Sequence, residues 1–255
     1  MFNRRSYKEI ARKQLKGRHT APVLTTLFVC VIYVLLNTPS FSSLIEAFKD
    51  PSNIFDFTQG PYGFSYHYEG SSPVASSMSW LLVLASYFVT GAVLMAQANL
   101  YIIMSHTTEP RTFGDFIKGF SSWLSGFLGI LWYMLWVTLW SFLFIFPGIV
   151  KAFSYSQMFF IMAEHPNITV TKAMNLSKVM TKGYKGDLFV MCLSFIGWDI
   201  LCALTCGILN LWITPYKWMT FTNAYHALKA HAIQAGDLRM EDFTGEPVEA
   251  ANNGN

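Results

Sequence analysis

Charge is what this chain most lacks: Asp, Glu, Lys and Arg make up 13% of its 255 residues, against 53% hydrophobic ones, and about a quarter would be ordinary for a soluble domain. That balance points to a membrane protein. Cysteine is also scarce. Cys30, Cys192, Cys202 and Cys206 all fall inside apolar runs, which fits neither a disulfide framework nor a zinc cluster. Cys202 and Cys206 share a helix face, yet no other thiol or histidine lies near them in sequence. Catalytic signatures are missing too: there is no G-x-S-x-G, H-E-x-x-H, P-loop or G-x-G-x-x-G pattern to hold a nucleophile, a metal or a phosphate. No small-residue cleavage motif follows the first apolar run, so that run is expected to be retained.

Long apolar runs are abundant instead. A bilayer core of about 30 Å takes about 20 apolar residues per helix, and six runs approach that length: Thr20–Asn37, Trp80–Met104, Leu124–Phe146, Gly148–Ala163, Leu188–Cys206 and Ile208–Leu228. Basic residues are unevenly spread around them. Arg4, Arg5, Lys8, Arg12, Lys13, Lys16 and Arg18 precede the first run, Arg111 and Lys118 separate the second and third, and Lys172, Lys178, Lys182 and Lys185 separate the fourth and fifth. The positive-inside rule then puts both termini and both lysine-bearing loops on the cytoplasmic side. Residues 38–79, rich in Ser, Gly, Pro and aromatics, form the external loop. Its aromatics suit the headgroup interface, or a binding surface. The end of the chain, 232–255, is polar and without apolar periodicity, and is expected to be a disordered cytoplasmic tail.

Self-similarity organises the runs into three units. Lys16-Gly17, Lys118-Gly119 and Lys182-Gly183 each stand before an odd-numbered run and follow a short amphipathic segment, SYKEIARKQLKG, FGDFIKG and TKAMNLSKVMTKG. Ser6 and Glu9 are spaced as a capping box in the first. The even-numbered runs share an ending of amide, aromatic and histidine: Asn99, Tyr101, His106; Gln157, Phe159, His165; Asn223, Tyr225, His231. Each unit therefore reads as an interfacial helix, a Lys-Gly bend where glycine permits the change of direction, and a transmembrane hairpin. The expected fold is an all-α, polytopic membrane helical bundle of six transmembrane helices in three hairpins, one integral domain over 1–231 with the external loop as an insertion.

Ionisable groups at bilayer depth are costly and are the default site candidates. Asp199 lies about 16 Å into the fifth run from the inside and Lys217 about 14 Å into the sixth from the outside, at 1.5 Å per residue. They are expected to pair across the two adjacent helices, facing the bundle interior. Such a pair neutralises two charges and sets helix register, or else serves ion transfer. Lys151 sits a turn below Pro147-Gly148, within snorkelling reach of the outer surface. Pro215 is expected to kink the sixth helix, and Trp198 and Trp212 suit either a lipid-facing belt or a core contact. Ser154 and Tyr155, near mid-membrane, would hydrogen-bond a neighbouring helix. The three repeat-end histidines would converge on a metal or proton site only if the hairpins pack around a pseudo-threefold axis. The basic residues Arg4, Arg5, Lys8, Arg12, Lys13 and Lys16 flank an apolar helical stripe, a pattern suited to anionic lipid headgroups rather than nucleic acid.

The run from Pro147-Gly148-Ile149 with Ser154-Tyr155, through Ala173–Met180 and Lys182-Gly183, to Leu193-Ser194-Phe195-Ile196-Gly197-Trp198 and Trp212 to Pro215-Tyr216, resembles the bacterial membrane family called domain of unknown function nine-seven-five. ARKQLKG near the start extends the likeness. That family is itself distantly similar to the membrane domains of some glycerophosphodiester phosphodiesterases, whose catalytic domain has no counterpart among these residues. The resemblance implies a multi-pass protein of the bacterial plasma membrane. The expected function is a non-catalytic module that binds lipid or other membrane proteins, with no cofactor, metal or nucleic acid; the alternative is a small transporter or lipid-handling protein with a cavity around Asp199, Lys217 and Pro215.

Overall fold

The computed structural model describes residues 2–37, 73–143, 145–205 and 207–243. Every regular element among them is helical. In chain order they are α1 (Arg4–Leu15), α2 (Thr20–Asn37), α3 (Pro73–His106), α4 (Phe113–Gly119), α5 (Trp123–Leu143), α6 (Ile145–Tyr155), α7 (Met158–Glu164), α8 (Val170–Met180), α9 (Lys185–Leu193), α10 (Ile196–Leu204) and α11 (Asn210–Gln234). Short 3₁₀ turns follow α4 and end the described chain at Met240–Phe243. Contacts divide the chain into a larger unit, Met1–Thr26 with Tyr87–Asn255, and a smaller one, Leu27–Ser86. The expected external loop lies almost wholly outside the described residues, as do Cys206 and residues 244–255 of the expected tail.

Among the described residues, three helical stretches are long and apolar enough to cross a membrane: Ala85–His106, Phe113–Phe142 and Lys185–Leu204. The first is mostly buried and the other two mostly exposed, so the larger unit is organised around α3 with apolar helices outside it. Exposed Leu128, Leu135, Leu139, Phe142, Ile200 and Leu204 form the surface that hydrocarbon would cover. Where α3 meets α5 the backbones touch: a methyl group placed on Gly91 or on Gly126 would run into the other's carbonyl oxygen. Small residues give such crossings their close approach in membrane proteins.

The amphipathic segments precede their Lys-Gly steps as expected, but they do not lie passively at an interface. α8 buries Ala173, Met174, Leu176, Ser177 and Met180 and packs on α7. α1 buries Ala11 and Leu15 against α11. Gly17 and Gly183 adopt φ of 76° and 85°, left-handed values that disfavour a Cβ. Gly119 does not bend the chain. It is helical, φ −62°, and is glycine because a Cβ there would sit 2.6 Å from the Cα of Ala96. Capping also differs between copies. Asn3, rather than Ser6, begins α1 by accepting from the Ser6 N–H at 3.2 Å, while Thr112 and Asp115 form the capping box of α4.

The fourth apolar run is not one helix. It breaks at Ser156-Gln157 between α6 and α7, and the fifth breaks at Ser194-Phe195 between α9 and α10. α11, in contrast, continues through the buried Pro215. Nor is 232–255 uniformly unstructured. The C-terminus of α11 closes with Asp237 N–H to Ala232 O (3.0 Å) and Gly236 N–H to Ile233 O (3.1 Å), a Schellman pattern. Leu238 and Phe243 are then buried, because even a polar tail folds back where it supplies apolar side chains to a waiting surface.

Candidate functional site

Two helix ends meet the side of a third helix in the larger unit: His106 closes α3, Glu164 closes α7, and Tyr225, His226 and Lys229 lie in the second half of α11. An aromatic ladder underlies them. Tyr101 stacks on Trp218 with centroids 5.7 Å apart, Trp218 meets Phe160 edge-on at 5.7 Å, and Phe160 stacks on Tyr225 at 5.6 Å. Tyr225 thereby presents its hydroxyl to Glu164 Oε2, to which it donates. Lys229 Nζ donates to the same oxygen at 2.7 Å and to His165 Nε2 at 3.0 Å. Phe243, from the folded-back tail, covers this corner, its ring 4.6 Å from Lys229 Nζ and 5.4 Å from the His165 ring.

The protonation states follow from these partners. Burial raises the Glu164 pKa, but the hydrogen bonds from Lys229 and Tyr225 and the nearby positive charge outweigh it and hold the carboxyl below its usual value. Burial lowers the His165 pKa, and the Lys229 charge lowers it further against the opposing pull of Glu164. An ammonium group only donates, so His165 Nε2 must be bare to accept from it. The network is thus Glu164 ionised, Lys229 charged and His165 neutral.

Oε1 of Glu164 faces the other way. His106 Nε2 lies 3.9 Å from it, too far for a hydrogen bond. The His106 and His226 rings meet edge-on at 4.7 Å, and one donor atom from each of His106, Glu164 and His226 lies within 4.8 Å of the others. Of the three repeat-end histidines, His106 alone belongs to this group; His165 turns to Lys229, and His231 lies elsewhere. His231 instead engages the Tyr184 hydroxyl at 2.8 Å, and His226, one and a half turns earlier, takes its position. Glu164 and His226 were not candidates in the sequence. Glu164 precedes the repeat-end histidine His165 directly, and His226 follows the repeat aromatic Tyr225 directly. Nothing in their spacing marks them as ligands.

The sequence-derived membrane candidates are distributed elsewhere. Asp199 and Lys217 do form an ion pair. It faces outward rather than into the bundle: the Asp199 side chain is 48% exposed and that of Lys217 26%. Asp199 stands on an exposed face of α10 with Trp198, Ile200 and Leu201, and Trp198 and Trp212 are exposed as well. Lys151 lies over the Trp140 ring at 4.4 Å. Ser154 and Tyr155 are both buried at the break between α6 and α7. There the Ser154 carbonyl accepts from Ser177 Oγ at 2.7 Å and from Thr181 Oγ1 at 3.3 Å, and the Gln157 N–H donates to Ser177 Oγ at 3.2 Å. The amphipathic α8 is thus hydrogen-bonded into the break, and these polar residues have a structural use.

The basic residues of α1 divide. Lys13 pairs with Glu9 at 3.0 Å; Arg12 lies over the Tyr216 ring at 5.5 Å; Lys16 is exposed. Lys8 reaches the second helix break, donating to the Ser194 carbonyl at 3.3 Å with its ammonium 4.1 Å from the Phe195 centroid. Phe2, Asn3, Arg4, Arg5, Lys8 and Ser194 line an open groove of about 480 Å³. Among the described residues no carboxylate pairs with Arg4, Arg5 or Lys8. Partial burial, then repulsion from Arg12 and Arg4, lowers the Lys8 pKa.

Residues 145–232 match the family model described as Protein of unknown function (DUF975). The matched segment runs from α6 through most of α11. It carries both helix breaks, the Asp199–Lys217 pair, Glu164, His165, His226 and Lys229; His106 and the basic α1 lie before it. None of the curated proteins and none of the solved structures compared with the chain matches it. The expected distant likeness to glycerophosphodiester phosphodiesterase membrane domains is not shown by these comparisons.

Proposed function

We propose that the chain is a non-catalytic module of the bacterial plasma membrane, with six spans in three hairpins and both termini cytoplasmic, that binds anionic phospholipid headgroups through the N-terminal groove. The observation that carries this reading is the convergence of Arg4, Arg5 and Lys8 on one open groove, with no carboxylate among the described residues paired to them. The groove begins at the N-terminus of α1, where free N–H groups add to the attraction for an anion, and the exposed Arg12 and Lys16 extend the basic face. Phe2 gives the groove an apolar edge on which an acyl chain can rest.

The test is reconstitution into vesicles of phosphatidylcholine with or without phosphatidylglycerol, release into mild detergent, and native mass spectrometry of the retained lipid. Wild-type protein should keep anionic lipid selectively. A basic side chain near an anionic surface contributes about 1 kcal/mol, so the combined Arg4→Gln, Arg5→Gln, Lys8→Gln variant should lose it by about 100-fold. Equal retention by the triple variant would rule the groove out.

A second reading, a protein partner within the membrane, draws on the outward Asp199–Lys217 pair. Intramembrane charges ordinarily face a protein interior, and a neighbouring transmembrane segment would provide one. Mild-detergent affinity purification should then recover a partner from wild type and lose it from the Asp199→Asn, Lys217→Gln double variant. The transporter alternative required this pair to line an interior cavity, which its outward position does not favour.

A further inference from the structure

We infer that His106, Glu164 and His226 form a binding site for a transition-metal dication of the zinc class, tying together α3, α7 and α11. The donor set is two imidazoles and one carboxylate, which suits zinc with a fourth position left open. Ligands about 2.1 Å from a tetrahedral ion stand about 3.4 Å apart, so the 3.9 Å between His106 Nε2 and Glu164 Oε1 closes on an ion with a contraction of about half an ångström. Oε1 has no hydrogen bond of its own among the described residues, whereas Tyr225 and Lys229 both take Oε2. They hold the carboxylate so that Oε1 points at the histidines.

A second observation concerns the His226 tautomer. The Ser105 hydroxyl donates its one hydrogen to Ile102 O at 2.6 Å. Toward His226 Nε2, 2.8 Å away, it acts as acceptor. In the tautomer that accepts this arrangement, Nε2 carries the proton and Nδ1 keeps its lone pair for coordination. Ligating histidines usually have their second nitrogen fixed by such an outer hydrogen bond. The His106 side chain is 56% exposed, which leaves the open position accessible. Lys229 is the opposing feature, because its charge beside Glu164 weakens attraction for a cation; His165, held neutral by the same lysine, adds none.

Full-length protein in mild detergent, stripped with a chelator and titrated with Zn²⁺ against a fluorescent chelator, provides the test. The expected result is one ion per chain. His106→Gln, His226→Gln and Glu164→Gln should each weaken binding by at least about tenfold, Lys229→Gln should tighten it, and His231→Gln should leave it unchanged. Co²⁺ substituted at the site should show the visible absorption of a tetrahedral complex, abolished in His106→Gln. His106 is exposed enough for its glutamine variant to keep the fold, so that variant alone decides: wild-type affinity and an unaltered Co²⁺ spectrum overturn the site. Loss of binding in His231→Gln, or no zinc bound by wild type, overturns it equally.

Discussion

Replacing Ser177 with alanine removes one oxygen atom on which two backbone groups at the α6–α7 break depend. The side chain is fully buried, donates to Ser154 O at 2.7 Å and accepts from Gln157 N–H at 3.2 Å. In the alanine variant the Gln157 N–H has no partner, while the Ser154 carbonyl keeps only a share of the Thr181 hydroxyl at 3.3 Å, whose one hydrogen is nearer Ser177 O at 2.8 Å. A buried polar group left unsatisfied costs about 1–3 kcal/mol. One full loss and one partial loss therefore predict a destabilisation of about 2–4 kcal/mol. Thr181→Val alone should cost less, since Ser177 holds the shorter bond, and the double variant should exceed the sum of the singles because Ser154 then loses both donors. The assay is reversible unfolding in mixed micelles with increasing SDS, followed by circular dichroism. Ser194→Ala, at an exposed position, serves as the control and should stay within about 0.5 kcal/mol. A Ser177→Ala effect no larger than that control would show that the break is held by packing and that its hydrogen bonds are dispensable.

Acid should destabilise the protein in two steps. Both His165 and Glu164 have folded-state pKa values below their ordinary 6.5 and 4.5, so each contributes stability that is intact above its ordinary value and is lost as pH falls toward the folded value; melting temperature in detergent should decline from below about 6.5 and again below about 4.5, and Glu164→Gln should remove the second decline. Gly126→Ala forces α5 away from α3 at the Gly91 carbonyl and should cost about 1–3 kcal/mol, as overpacking does, measured by the same SDS unfolding. Phe243→Ala empties a buried site against Lys229 and His165 and should cost about 3–5 kcal/mol; a near-neutral result would return residues 235–243 to the status of a tail.

Much of the architecture is legible without coordinates because it follows from one-dimensional pattern. Apolar runs locate most of the helices, and the amphipathic leaders of the three Lys-Gly steps are helical as their spacing predicts. The Asp199–Lys217 pairing is also readable, since two depths and a short turn determine which residues meet. Their outward direction is not, because it depends on the rotation of both helices about their axes, and that rotation is set by everything packed against them. The same reason accounts for the helix breaks. Neither Ser156-Gln157 nor Ser194-Phe195 contains the proline or glycine that announces a break, and both are held open by distant side chains, Ser177 and Lys8, whose hydrogen bonds replace the helical ones.

The histidines separate the two kinds of information most clearly. From residue order alone, His106, His165 and His231 are expected at equivalent ends of three related hairpins, and the basic residues around them make the cytoplasmic face the expected side. Which of them meet was decided by the tertiary structure, through the direction each helix presents at its end: α3 and α7 bring His106 and Glu164 together, and α11 offers His226 there while His231 turns to Tyr184. A repeat constrains position along a helix to within a turn or so, whereas coordination and hydrogen bonding are settled by less than an ångström, which only packing between helices fixes.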